Sequence, residues 1–107
     1  MSIRRTTLGA TPVLMVAGDI DLAAVPKFTD ALTRLLSDAP GGNVAVDLDG
    51  VGYLDDTALG LLLGGAGRAR NAQGDLFVVC TDAKLRARLT DTGFDRAVRV
   101  ATSVVGS

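Results

Sequence analysis

The chain has 107 residues, a net charge of −1 and 48% hydrophobic residues, which is enough apolar material for one compact core and too little for two. It contains no histidine, which excludes histidine-based triads and the usual zinc sites. All twelve acidic residues are aspartates. With 4% aromatic residues and no long basic run, it also lacks what nucleic-acid binding requires. We expect a single domain over residues 1–107, with its core at about residues 10–100.

The sequence predicts a cytoplasmic protein that does not cross a membrane. The opening MSIRRTTLGATPVLM lacks the continuous apolar stretch and cleavage site of a signal peptide. The most apolar segment, ALGLLLGGAG, is about half the roughly 20 residues that a bilayer span needs. A lone cysteine, Cys80, cannot form an internal disulfide, which fits a reducing compartment, and we interpret it as a buried core residue.

The first half of the chain predicts two strands, a helix and a third strand. SIRRTTLG and VLMVAGDID are typical of strands, and we expect them to pair as a hairpin. From Leu22 the apolar spacing changes to three and four residues, so a helix is predicted from Ala23 to Ser37, with Pro26 in its first turn. NVAVDLDG predicts the next strand.

The second helix carries an apolar stripe at Leu59, Leu62, Leu63, Ala66 and Ala69. Asp55 or Asp56 is the expected cap, because a carboxylate there accepts hydrogen bonds from free N–H groups and suits the helix dipole. Each glycine inside a helix costs about 1 kcal/mol relative to alanine. This predicts close packing of the helix on the sheet or on a partner, at Gly60, Gly64, Gly65 and Gly67.

The last part of the chain predicts a buried strand, a helix, a short strand and a tail. DLFVVC is an unbroken apolar run, as expected of a strand covered on both faces. TDAKLRARLTDTGF predicts a helix with Thr81 or Asp82 as its cap and Gly93 as its stop. RAVRV predicts the closing strand, and residues 101–107, ATSVVGS, are expected to form a loose tail.

This alternation of elements predicts an α/β fold. Parallel strands joined by right-handed crossovers, with one antiparallel hairpin at the start, give a mixed, mostly parallel sheet of about four to five strands with about three or four helices. The acids are unevenly distributed: residues 1–57 hold eight aspartates against four basic residues, and residues 58–107 hold four against seven. One end of the fold is therefore expected to be acidic.

Two interpretations compete for the aspartates of VAVDLDGVGYLDD. An apolar strand followed by Asp-x-Asp-Gly resembles the first motif of haloacid-dehalogenase-type phosphohydrolases, which implies Asp47 as nucleophile, Asp49 as acid/base and Mg²⁺ at the phosphate. The alternative is structural, because Asp49 and Gly50 suit a turn at the end of the strand.

Three blocks of the sequence, taken in their order, resemble the STAS domain of bacterial anti-sigma-factor antagonists. They are Gly-Asp-Ile-Asp at Gly18 to Asp21, Asp47 at the end of a strand, and Leu-Asp-x-hydroxyl-x-Leu-Gly from Leu54 to Gly60. The resemblance covers roughly residues 10–100. It implies a STAS-like domain and a cytoplasmic, non-enzymatic binding protein without a cofactor.

The resemblance also implies a partner switch. In that family the unmodified antagonist binds an anti-sigma factor that is also a serine/threonine kinase, and so frees the sigma factor. The kinase phosphorylates a Ser or Thr at the start of the second helix, and a phosphatase restores binding. By position the acceptor is Thr57. The implied partner-binding residues are Asp19, Asp21, Asp55, Asp56, Thr57 and Ala58.

Two positions depart from the pattern of phosphorylated members, which commonly have Asp-Ser-Ser-Gly or Asp-Ser-Thr-Gly. Asp56 replaces the first serine and Ala58 replaces the glycine. Asp56 either weakens kinase recognition or imitates part of the phosphorylated state. The alternative function is therefore a STAS module without a phosphoswitch, which binds partners constitutively or belongs to a lipid-transport or stress-sensing assembly. Nucleotide binding, proposed for STAS domains generally, stays an open alternative.

Overall fold

One five-stranded sheet organises residues 1–104, which are the residues that the computed structural model describes. Its strands, in chain order and also in spatial order, are β1 (Ser2–Leu8), β2 (Thr11–Ala17), β3 (Asn43–Gly50), β4 (Asp75–Val79) and β5 (Val100–Ala101). β1 is antiparallel to β2, and the other neighbours pair in parallel. The predicted α/β class with a mixed sheet is confirmed.

Four α-helices occur within residues 1–104, namely α1 (Val25–Asp38), α2 (Asp56–Asn71), α3 (Ala83–Asp91) and α4 (Phe94–Ala97). Pro26 lies in the first turn of α1, as predicted. The helix predicted from Ala23 begins two residues later, because Leu22–Ala24 form a 3₁₀ turn. The Asp21 side chain caps this turn by accepting a hydrogen bond from the Ala24 N–H at 3.0 Å.

The C-terminal part of the prediction needs correction. Residues 96–100 were expected to form a strand, but α4 extends to Ala97 and β5 contains only two residues. Gly93, with φ of 79°, adopts the left-handed conformation after α3, and a new helical turn starts at Phe94, whose ring is buried. In the predicted tail, Ala101 belongs to β5 and Val104 packs against the sheet, while residues 105–107 lie outside the described residues.

The helices share one face of the sheet, and the main core lies between them. Side chains of β2, β3 and β4 that point to this face pack with α1, α2, α3 and α4, and Phe28, Leu35 and Leu62 are fully buried there. Cys80 belongs to this core and is fully buried, which confirms the prediction. The opposite face holds a smaller buried cluster of Val13, Ala45, Phe77, Val79 and Ala101.

Close packing explains only one of the four glycines of α2. A Cβ on Gly65 would lie 3.3 Å from Leu32 Cδ2 and 3.4 Å from Leu76 Cδ1, so this glycine lets α2 approach α1 and the sheet. A Cβ at the other three would meet no atom of the described chain within 4 Å, so they do not pack closely on the sheet, and close packing on a partner stays a prediction for Gly60, Gly64 and Gly67.

Candidate functional site

The loops that follow β2 and β3 run side by side at the carboxyl edge of the sheet. Parallel strands bring their carboxyl ends to the same edge. Beyond the strands, Ile20 and Leu54 form a parallel bridge. The Ile20 N–H donates to the Tyr53 carbonyl at 2.8 Å, and the Asp55 N–H donates to the Ile20 carbonyl at 2.9 Å. Segments 18–22 and 51–55 are therefore fixed to each other immediately before α2 begins.

The first turn of α2 presents the hydroxyl of Thr57 to solvent. Asp55 is the cap: its backbone is extended, and its Oδ1 accepts a hydrogen bond from the Thr57 N–H at 2.8 Å. This confirms one of the two predicted caps. Thr57 is exposed, and within residues 1–104 its hydroxyl makes no hydrogen bond. The cap occupies the backbone of Thr57 and leaves its side chain available to another molecule.

The predicted acidic residues lie around this turn. Asp19, Asp21 and Asp56 are exposed, and Asp55 is half-buried. A Cβ on Gly52 would lie 3.1 Å from Asp19 Oδ1, so segment 51–55 passes close to that carboxylate. The carboxyl edge is thus rich in negative charge beside Thr57.

Ala58 is placed differently from the other predicted site residues. Its methyl group is fully buried and belongs to the main core. The side chain therefore supports the first turn of α2 from below and does not lie on the solvent side.

Large apolar side chains accompany the acids at this edge. Leu22 is 66% exposed and Tyr53 is 48% exposed, and each lies in one of the two paired segments. A groove of about 580 Å³ adjoins the same turn, lined by Asp56, Leu59, Gly60, Leu63, Thr92, Gly93, Phe94 and Ala97. Exposed apolar groups among charged ones are typical of a protein-binding surface.

Arg88 is a site residue that no local pattern predicted. Arg88 Nη2 lies 2.7 Å from Asp56 Oδ1 and donates to the Leu54 carbonyl at 2.6 Å. Arg86 similarly donates to the Cys80 carbonyl at 2.7 Å. Leu54 and Asp56 are each more than thirty residues from Arg88 in sequence, so the helical periodicity around Arg88 could not predict these contacts.

Asp47 and Asp49 have structural partners at the end of β3. Asp47 Oδ1 accepts a hydrogen bond from the Asp49 N–H at 2.9 Å. Asp49 Oδ1 accepts from the N–H of Thr81 and, at 3.0 Å, from its hydroxyl. Nowhere in the described chain do three or more acidic or cysteine side chains gather as a metal ion would require. These contacts support the interpretation of the Asp-x-Asp-Gly motif as a turn.

The thiol of Cys80, next to this turn, is buried and has low reactivity. Burial raises the pKa of its thiol above the ordinary value, and Sγ lies 3.8 Å from the Asp82 carbonyl. A thiol with a raised pKa stays protonated at neutral pH and is a poor nucleophile.

No helix of residues 1–104 combines the length and the apolar character needed to span a bilayer.

Comparison with known proteins gives one consistent result. The family model described as "Mlab, STAS domain" matches residues 3–105. An anti-sigma-B factor antagonist of Staphylococcus aureus is 25% identical over 100 residues, which cover 94% of this chain and 92% of that protein.

Solved structures show the same fold. An anti-sigma factor antagonist from Mycobacterium paratuberculosis superposes with a TM-score of 0.85 at 21% identity, covering 96% of this chain and 86% of that one. The phosphorylated form of the Bacillus cell fate determinant SpoIIAA superposes with a TM-score of 0.69 at 15% identity, covering 95% and 93%.

Proposed function

The chain belongs to the STAS domain family, and we propose that it is an anti-sigma-factor antagonist, which binds an anti-sigma factor and so releases the sigma factor held by it. The relative from Staphylococcus aureus is an anti-sigma-B factor antagonist, and the match covers nearly the whole length of that protein, which supports this function. The protein acts by binding and not by catalysis, in the cytoplasm. The observation that carries the proposal is the exposed, unbonded hydroxyl of Thr57 on an acidic, partly apolar edge of the sheet.

The docking surface consists of segments 18–22 and 51–57. Leu22 and Tyr53 supply apolar area whose burial favours association, at about 25 cal/mol per Å². Asp19 and Asp21 supply negative charge, which favours a partner with a basic contact surface and speeds its encounter. The backbone bonds between the two segments hold this surface in one shape before the partner arrives, which lowers the entropic cost of binding.

The partner is an anti-sigma factor of the serine/threonine kinase type, and Thr57 is its substrate. A phosphate on Thr57 adds about −1.5 to −2 charges at pH 7. The N–H groups and dipole of α2 stabilise such a charge by at most about 2 kcal/mol, so the helix tolerates it without refolding.

A bound partner does not tolerate the phosphate. It would meet both the added bulk and a charge placed beside Asp55, and a desolvated, unpaired charge at an interface is costly. Binding is therefore switched off at the surface, and a phosphatase that removes the phosphate restores it. The Bacillus neighbour, solved in a phosphorylated form, supports the compatibility of this fold with phosphorylation.

The test is the intact mass of the protein after incubation with ATP and each anti-sigma kinase of its own bacterium. We expect one added phosphate, accompanied by loss of the kinase complex in size-exclusion chromatography. Thr57→Ala should remove the added mass. Thr33→Ala, which changes an exposed threonine on α1, should retain it. A phosphate at another residue would overturn the switch, and absence of any kinase complex would overturn the function.

A second candidate is a STAS module that binds its partner constitutively. The observation in its favour is the fixed negative charge of Asp56 directly before Thr57, where phosphorylated members carry a serine. A stable kinase complex that gains no phosphate in the same experiment would select this candidate.

A further inference from the structure

Arg88 ties α3 to the start of α2 through a single nitrogen. Its Nη2 donates to the Leu54 carbonyl at 2.6 Å and to Asp56 Oδ1 at 2.7 Å. The Arg88 side chain is 34% exposed, whereas that of Asp56 is 88% exposed. The guanidinium thus lies partly under the surface, and the carboxylate that it holds lies on it.

The burial of Arg88 has a cost that an ordinary surface arginine avoids. Its Nε is buried and has no hydrogen-bond partner among residues 1–104. A buried donor without an acceptor loses its hydration without compensation. The contacts that the guanidinium does make, through Nη2 to Leu54 and Asp56, direct the side chain toward the first turn of α2.

The pairing changes the electrostatic character of Asp56. This residue immediately precedes Thr57, so a free carboxylate here would place one permanent negative charge where phosphorylation places nearly two. Arg88 contributes an opposite charge at 2.7 Å, and the pair is neutral as a whole. In the unmodified chain, a partner approaching Thr57 therefore meets a compensated Asp56.

We propose that Arg88 is a positioning residue of the switch: by holding and neutralising Asp56, it keeps the unmodified chain in the partner-binding state despite the acid beside Thr57. This inference rests on the proposed function. It assigns to Asp56 the role of a paired structural charge, not of a built-in phosphate mimic. Without Arg88, the same carboxylate acts against the partner as a partial mimic.

The test compares affinities for the purified anti-sigma kinase that binds the wild-type chain. We expect Arg88→Gln to weaken binding about tenfold, which corresponds to about 1.4 kcal/mol. Adding Asp56→Asn to that variant removes the uncompensated charge and should return the affinity to nearly the wild-type value. Arg96→Gln is the matched control, because Arg96 is exposed on the neighbouring helix and forms no ion pair within the described chain.

The salt dependence of binding distinguishes an electrostatic effect of Arg88→Gln from an effect of misfolding. Surface charges are screened over about 10 Å at 0.1 M ionic strength and over about 3 Å at 1 M. The deficit of Arg88→Gln should therefore shrink as salt is raised, whereas a deficit caused by misfolding should persist. If Arg88→Gln does not fold, Arg88→Lys, which keeps the positive charge, should bind nearly as wild type.

The outcomes distinguish the inference from the function on which it rests. Equal binding by wild type and Arg88→Gln, or no rescue by Asp56→Asn, would overturn the role of Arg88 and leave the antagonist function intact. Failure of the wild-type chain to bind any anti-sigma kinase would overturn the function and the inference together.

Discussion

Two adjacent glycines of α2 should respond differently to substitution by alanine. A Cβ on Gly64 meets no described atom within 4 Å, whereas a Cβ on Gly65 lies 3.3 Å from Leu32 Cδ2 and 3.4 Å from Leu76 Cδ1. Both residues lie inside the same helix and neither has a positive φ. Since glycine costs about 1 kcal/mol relative to alanine in a helix interior, each substitution makes the same favourable contribution to the backbone.

The packing contribution then decides whether the free energy of unfolding rises or falls. For Gly64→Ala nothing opposes the gain, so the free energy of unfolding should rise by about 1 kcal/mol, which raises the Tm by roughly 4–8 °C in a domain of about this size. For Gly65→Ala the new methyl presses on two leucines that are themselves 3% and 0% exposed and have little room to turn. Overpacking of a core costs about 1–3 kcal/mol, which cancels or exceeds the gain.

Urea unfolding of wild type and both single variants, followed by circular dichroism, measures this difference. Gly64→Ala should be more stable than wild type, and Gly65→Ala should lie below Gly64→Ala by about 1–3 kcal/mol. Equal stabilisation by the two variants would refute the argument, because it would mean that α2 does not approach Leu32 and Leu76 as closely as the distances state.

Two further predictions concern the site and its surroundings. Asp55→Ala should lower the free energy of unfolding by about 1 kcal/mol, because the Thr57 N–H loses the carboxylate that accepts from it at 2.8 Å. Asp55→Ser keeps a capping oxygen and should be nearly neutral, so equal losses in both variants would contradict the cap. Cys80 should resist iodoacetamide at pH 7 until the chain is unfolded, since it is fully buried and burial raises its pKa. Rapid labelling of the folded protein, detected by mass spectrometry, would contradict this placement.

Local patterns were sufficient to predict most of the elements. The change of apolar period at Leu22 identified α1, and the alternation of NVAVDLDG identified β3. The cap of α2 could be predicted as one of two residues, Asp55 or Asp56, because capping depends only on neighbouring side chains and backbone; the structure shows that it is Asp55. Each of these signals arises within one helical turn or one strand, which is why a single sequence carries it.

Other features depend on contacts between distant segments and left no local trace. α4 has only four residues, too few for a period to appear, and it depends on the left-handed turn at Gly93 and the burial of Phe94. The difference between Gly64 and Gly65 is set by Leu32 and Leu76, which belong to other elements. Only the folded arrangement shows which side of α2 faces them.

The two departures from the pattern of phosphorylated members have a common physical character. Ala58 directs its methyl group into the core, where it adds apolar contact and a better helix former than glycine at the start of α2. Asp56 is held by Arg88. Neither substitution leaves an unpaired group on the solvent side of the first turn. On the proposed function, both departures therefore leave the Thr57 hydroxyl open to a kinase within the docking surface of segments 18–22 and 51–57.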